Sequence, residues 1–169
     1  MSTKYELTDE TINLCDITLH RIRALRDIPS AGVKSGDLGG WIEKESNLCQ
    51  NGDAWVYDNA WVFGDAWVCG NARVYGNAKV CGNAKVCGNA KVCGNADYMT
   101  FKNSWSSGRW FTYTRSNKMW KVGCFYGTGE ELIKKAYADS ELSGKCYEAI
   151  VRAVEAIEAA KAKAKGEMK

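Results

Sequence analysis

Between residues 52 and 99 apolar positions recur every six residues. Val56, Val62, Val68, Val74, Val80, Val86 and Val92 each follow an Ala by two places, and a Gly-Asn or Gly-Asp pair generally precedes that Ala. Eight such hexads run without interruption, with Asp58 in place of one Gly and Tyr98 in place of the last Val. A fixed period sustained over this length marks a stacked repeat. The six-residue spacing predicts a mainly β protein built on a short left-handed parallel β-helix. Three hexads make one turn, and successive turns lie about 4.8 Å apart. Val and Ala point inward, and the Gly-Asn and Gly-Asp pairs turn the corners, where a left-handed backbone suits Gly and Asn.

Outside the hexads the pattern changes twice. Tyr5 to Leu7 reads as a short strand before a polar turn. Ile17 to Leu25, whose period fits strand or helix, reads as a strand because Pro29, Ser30, Gly32 and Gly36 follow too closely for an ordinary helix. Residues 40–51 read as two degenerate hexads forming a capping turn, with Ile42 and Leu48 in the register of Ala54 and Ala60. After residue 99, Ser107 to Thr114 and Lys118 to Phe125 predict a β-hairpin joined at Arg115-Ser116-Asn117. Thr128 with Glu131 three places on is a capping box, which predicts a helix to about Ala138. A turn over residues 140–145 and a second helix from Cys146 to about Lys163 follow, with Tyr147, Ile150, Val151, Val154 and Ile157 as its apolar stripe. Lys161, Lys163, Lys165 and Lys169 suit a helix C-terminus. The chain divides into 1–51 (strands and capping turn), 52–99 (hexads) and 100–169 (hairpin and two α-helices).

The outward hexad positions change the picture. The first three hexads place Trp55, Tyr57, Trp61, Phe63 and Trp67 outside, and the later ones place Arg73, Lys79, Lys85 and Lys91 there. Five large aromatics make a girdle that needs cover. Residues 1–51, the C-terminal part or another subunit can supply it, which makes these five residues a candidate interface of a dimer or trimer.

Charge is unevenly spread. The net +3 divides into −2 over residues 1–51, 0 over 52–99 and +5 over 100–169, and residues 100–128 hold five basic side chains and no acid. An anionic partner is expected to meet the chain there. No apolar run is long enough to span a membrane, and Met1-Ser2-Thr3-Lys4 opens no secretory leader. Eight cysteines without a leader read as reduced thiols, so a cytoplasmic protein is expected.

Enzymatic readings fare poorly. Hexapeptide-repeat acyltransferases commonly use a His as general base, but the hexads contain none and His20, the single histidine, precedes them. Cysteines six apart lack the close pairs that zinc sites use, so neither metal nor cofactor is expected. The best candidate for chemistry is the basic, aromatic hairpin. Arg109, Arg115, Lys118 and Lys121 would hold phosphate, Trp110, Tyr113 and Trp120 would stack on a base, and the amides after Thr128 would offer a helix N-terminus to an anion. The alternative is a hairpin whose aromatics pack within the protein and whose charges are solvated at its rim.

Four stretches carry a resemblance: Lys4-Tyr5-Glu6-Leu7-Thr8, Gly36-Asp37-Leu38-Gly39-Gly40-Trp41-Ile42-Glu43-Lys44-Glu45, the hexads, and Gly123-Cys124-Phe125-Tyr126-Gly127-Thr128. With these the chain resembles a family of phage- and prophage-encoded hexapeptide-repeat proteins. The resemblance implies a host-cytoplasmic, non-enzymatic, oligomeric protein compatible with sequestering a small nucleotide-derived defence signal. A protein-binding inhibitor of a host defence protein, a degenerate acyltransferase and a structural oligomerisation module are the other readings.

Overall fold

The computed structural model describes residues 3–167; Met1, Ser2, Met168 and the expected helix-end Lys169 lie outside them. The chain divides into two compact units between Cys124 and Phe125.

In the first unit β1 (Tyr5–Leu14) and β2 (Ile17–Ala24) form an antiparallel hairpin around Cys15 and Asp16, and β3 (Leu38–Ile42) pairs antiparallel with β2. Seven two-residue strands follow at six-residue intervals: β4 (Trp55–Val56), β5 (Trp61–Val62), β6 (Trp67–Val68), β7 (Arg73–Val74), β8 (Lys79–Val80), β9 (Lys85–Val86) and β10 (Lys91–Val92). Strands 18 residues apart pair in parallel, giving ladders β4-β7-β10, β5-β8 and β6-β9. β11 (Tyr98–Lys102), β12 (Trp110–Thr114) and β13 (Met119–Val122) form an antiparallel meander.

This corrects the expected regular left-handed parallel β-helix with a C-terminal hairpin. The protein is mainly β, but its strands fall into several small sheets, parallel and antiparallel, with a helix pair at the C-terminal end. One sheet, ordered β1-β2-β3-β5-β8, joins antiparallel N-terminal strands to parallel hexad strands. The last hexad leaves the repeat: a 3-10 turn at Asn95–Asp97 leads into β11, so Tyr98 and Met99 pair with Thr114 and Tyr113 instead of stacking on earlier hexads. The physical reason lies in strand length. Corners every six residues leave two ladder residues each, and the longer runs on either side find partners in antiparallel pairs.

The core of this unit is the set of inward Val and Ala side chains from Ala54 to Val92, all buried, joined by Tyr5, Ile22, Ile28, Ile42 and Leu48. Ile42 and Leu48 stand in the Val register and not the Ala register, since Ile42 pairs with Val62 and Leu48 with Val68. Two extra residues between Leu48 and Val56 shift the phase. Gly40 then takes the inward small-residue position, because Trp41 N–H donates to Ala60 O (2.9 Å). A Cβ on Gly40 would lie 2.6 Å from Ala60 O and 2.7 Å from Val56 Cγ1.

Both ends of the hexads are sealed by polar side chains. At the first end Lys4 is fully buried and its Nζ donates to Ala54 O (2.8 Å), while the Tyr5 hydroxyl donates to Leu48 O (2.8 Å). At the other end Asn95 Oδ1, Thr112 Oγ1 and Ser116 Oγ accept from the amides of Lys79, Lys85 and Lys91 at 2.8, 2.9 and 2.7 Å. An uncovered ladder edge invites pairing with another chain, and these acceptors close it.

The second unit opens with β14 (Phe125–Gly127) and contains α1 (Gly129–Asp139) and α2 (Glu141–Glu167). Leu132, Ile133 and Ala136 of α1 and Gly144, Val151 and Val154 of α2 are buried, whereas Ile157 is 41% exposed. The expected turn over 140–145 is a single residue, Ser140, whose Oγ accepts from Ser143 N–H (3.1 Å) and starts α2 immediately. Gly144 allows this tight reversal: a Cβ there would lie 2.2 Å from the Tyr137 ring. Among the described residues no helix is long and apolar enough to cross a membrane.

Candidate functional site

The expected ligand-binding residues separate on folding. Tyr113 and Trp120 sit opposite each other on β12 and β13, with ring centroids 5.1 Å apart. Phe101 and Phe111 pack on Trp120 as well, and Tyr113 and Trp120 are 6% and 2% exposed. Strand alternation puts Phe111, Tyr113, Trp120 and Val122 on one face, so their rings close on each other and offer no open stacking surface.

Thr112 and Lys121 pair on the opposite face, the one that meets the hexads through Lys85 N–H and Thr112 Oγ1. Lys121 stands near Cys69 and Cys87 there. Arg115 is drawn to Asp97, 3.9 Å away, an acid just outside the acid-free stretch. Lys118 is exposed in the turn with φ 55°. Thr128 lies in the second unit and caps α1: its amide and hydroxyl donate to Glu131 Oε2 (2.8 and 2.9 Å), and Glu131 N–H donates back to its Oγ1 (3.3 Å). These hydrogen bonds hold the Glu131 carboxyl below the usual range. A carboxylate of the chain itself thus takes the place of an external anion at this helix start.

Arg109 and Trp110 are the two expected residues that remain together at an opening. With Asn83, Lys85 and Gly123 they line a cleft of about 210 Å³. The hexads supply Asn83 and Lys85, the first residue of β12 and the one before it supply Trp110 and Arg109, and the turn after β13 supplies Gly123. Gly123 has φ 55°, and the Arg109 side chain lies across it, with Cδ 3.4 Å and Nε 3.6 Å from where a Cβ would be. Lys102 Nζ stands 5.9 Å from the Trp110 ring centre. Two cations therefore face the opening beside an indole, with no carboxylate in the lining. Lys85, Asn83 and Gly123 are not among the ligand residues the sequence predicts. Lys85 was visible as an outward base, but nothing local places it beside a residue 24 positions on.

The aromatic girdle is partly covered within the chain. Trp55 is 1% exposed, edge-on to Tyr5 at 6.4 Å, and the half-buried Tyr57 donates its hydroxyl to Ala31 O (2.8 Å). Trp61 carries Lys79 Nζ over its ring at 4.1 Å, next to Trp41 in a groove of about 420 Å³ shared with Ile12, Asn59 and Asn77. Phe63 and Trp67 are half-buried. A third opening, of about 350 Å³, lies along Tyr57, Tyr75, Arg73 and Lys91, but Asp58 sits in its lining and Arg73 is bonded to Ser30 O.

His20 has its Nδ1 3.3 Å from the Thr8 backbone oxygen. Among the described residues no group of three or more His, Cys, Asp or Glu could hold a metal ion. No protein-family model matches the chain, and no curated protein matches it either.

Proposed function

We propose that this protein binds and sequesters a small phosphate-bearing anion of nucleotide type at the Lys85-Arg109-Trp110 cleft and releases it unchanged. The observation that carries this reading is the convergence of a guanidinium, an ammonium and an indole on one opening whose lining holds no carboxylate. Arg pairs with phosphate oxygens through two N–H groups at once, and a base or ribose packs on the indole. At about 210 Å³ the cleft is smaller than the usual drug-sized pocket. It encloses the phosphate end of the ligand and leaves the remainder outside. None of its five lining residues is an ordinary general base at neutral pH, which supports binding without turnover. That the anion is a host defence signal rests on the family resemblance and not on the cleft.

Calorimetry with inorganic phosphate, adenosine and AMP tests this. AMP is expected to bind more tightly than either fragment and to be recovered intact, and the Arg109→Gln, Lys85→Gln double variant is expected to lose at least tenfold, about 1.4 kcal/mol. Equal binding by that variant, or none by AMP at millimolar concentration, overturns the reading. The homo-oligomer expected from the girdle is a separate proposal on narrower ground, since Trp55 is already inside the chain's own core.

A further inference from the structure

The outward column of the β6-β9 ladder consists of thiols. Val68 pairs with Val86 in parallel register, which sets Cys69 beside Cys87, and Cys69 N–H donates to Val86 O at 2.9 Å. On the other side Leu48 bridges to Val68, and Cys49 N–H donates to Val68 O at 2.9 Å, so Cys49 flanks Cys69. Neighbouring strands run about 4.8 Å apart, inside the window of roughly 4.4–6.8 Å between Cα atoms that a disulfide accepts. All eight cysteines are thiols in this structure.

The geometry points to Cys69 and Cys87 as a reversible thiol pair that a small hydroperoxide oxidises to an intrachain disulfide. The interaction between the two neighbouring thiols lowers Cys87 while it raises Cys69, with burial raising both. Lys121 and Lys85 add positive charge beside the pair and lower both thiols. Of the two, Cys87, whose thiol is lowered, acts as the nucleophile, and Cys69, whose thiol is raised, resolves it. Cys87 is only 6% exposed, which restricts the oxidant to a small one.

The chemistry balances in two steps. Cys87 thiolate attacks the outer oxygen of the hydroperoxide, the O–O bond breaks, and the leaving alkoxide (hydroxide from hydrogen peroxide) takes a proton from solvent. Cys87 is now a sulfenic acid. Cys69 sulfur then attacks Cys87 sulfur, the S–O bond breaks, and the departing hydroxide takes the Cys69 proton and leaves as water. Two thiols are oxidised and one hydroperoxide is reduced.

Hydrogen peroxide is added to the dilute full chain, and the alkylated, non-reduced protein is mapped after trypsin. The expected product joins the peptide spanning residues 45–73 to a Val-Cys-Gly-Asn-Ala-Lys peptide, and a dithiol reductant separates them. Residues 80–85 and 86–91 share that sequence, so variants assign the link. It is expected to persist in Cys81→Ser and Cys49→Ser, and to vanish in Cys87→Ser and Cys69→Ser. In Cys69→Ser a dione probe is expected to trap the Cys87 sulfenic acid. Persistence of the link without Cys69 or Cys87 overturns the proposal. So does its absence from the unsubstituted chain at a dose that oxidises the exposed Cys15, Cys93 and Cys124.

Discussion

The Lys85 amide donates to Thr112 Oγ1 at 2.9 Å, so a side chain from the antiparallel meander terminates a parallel ladder of the hexads. Thr112 is 1% exposed, and the same strand begins at Trp110, directly after Arg109. One hydrogen bond thus ties the sheet that holds half the cleft to the hexad that holds the other half. The equivalent bond from Lys91 to Ser116 fixes the same meander at a second point, and the one from Lys79 to Asn95 fixes the turn that leads into it.

Thr112→Val keeps the shape and removes the acceptor, leaving Lys85 N–H buried and unpaired. A loss of about 1–2 kcal/mol in unfolding free energy is expected, read as a lower urea midpoint with unchanged slope. Thr112→Ser retains the oxygen and should lose less than half as much. An unchanged midpoint in the valine variant would remove Thr112 from this role.

Gly40→Ala tests the close approach of β3 to the first hexads. Its Cβ would meet Ala60 O and Val56 Cγ1 at 2.6 and 2.7 Å, and backbone oxygen cannot retreat as a flexible side chain would. Thermal unfolding should fall by the equivalent of roughly 1–3 kcal/mol. Gly82→Ala is the comparison for backbone strain alone, because Gly82 has φ 63° and open space around its missing Cβ. An alanine tolerated at Gly40 better than at Gly82 would contradict the packing argument.

The inward Val and Ala positions were legible because a six-residue period repeats a single decision seven times, and one misread hexad cannot hide the rest. The Thr128-Glu131 cap was legible because it is local. Ile42 and Leu48 lie two residues from the register the sequence predicts, because the hexads around them lack the Gly-Asn corners that mark phase. Nor does the sequence announce where the repeat ends. Asn95 and Ala96 continue the pattern, but Asp97 accepts from Cys93 and Gly94 amides (2.8 and 3.0 Å) and turns the chain away. The cleft was half visible: Arg109 and Trp110 are adjacent, whereas Lys85 reaches them only through tertiary docking of β12.

Lys4 makes stability depend on pH. Burial is the main cause that lowers its pKa from 10.5 to about 8. Between those values the unfolded chain holds a proton that the folded chain lacks, so raising the pH through this window stabilises the fold. The contribution from Lys4 is on the order of 2–3 kcal/mol. Tyr5, Tyr57 and Tyr98, all raised chiefly by burial, act in the opposite sense above about pH 10. The quantity to measure is the difference in unfolding free energy between the unsubstituted chain and Lys4→Met. It should shift in favour of the unsubstituted chain from pH 8 to pH 10, and a pH-independent difference would rule out the titration.

Trp110 and Trp120 separate binding from packing within one sheet. Trp120 is 2% exposed among Phe101, Phe111 and Tyr113, so Trp120→Ala should cost about 3–5 kcal/mol of stability. Trp110 is half-buried at the cleft. Trp110→Ala should cost less than about 2 kcal/mol of stability while weakening AMP binding by about tenfold, the scale of one lost base stack. Trp120→Phe keeps a ring in the cluster and should bind AMP as the unsubstituted chain does. Calorimetry and urea unfolding on all three variants give the answer. If Trp120→Phe loses AMP affinity while Trp110→Ala keeps it, the stacking surface is the inner aromatic face and the ligand site moves from the Arg109 cleft to the other side of the sheet.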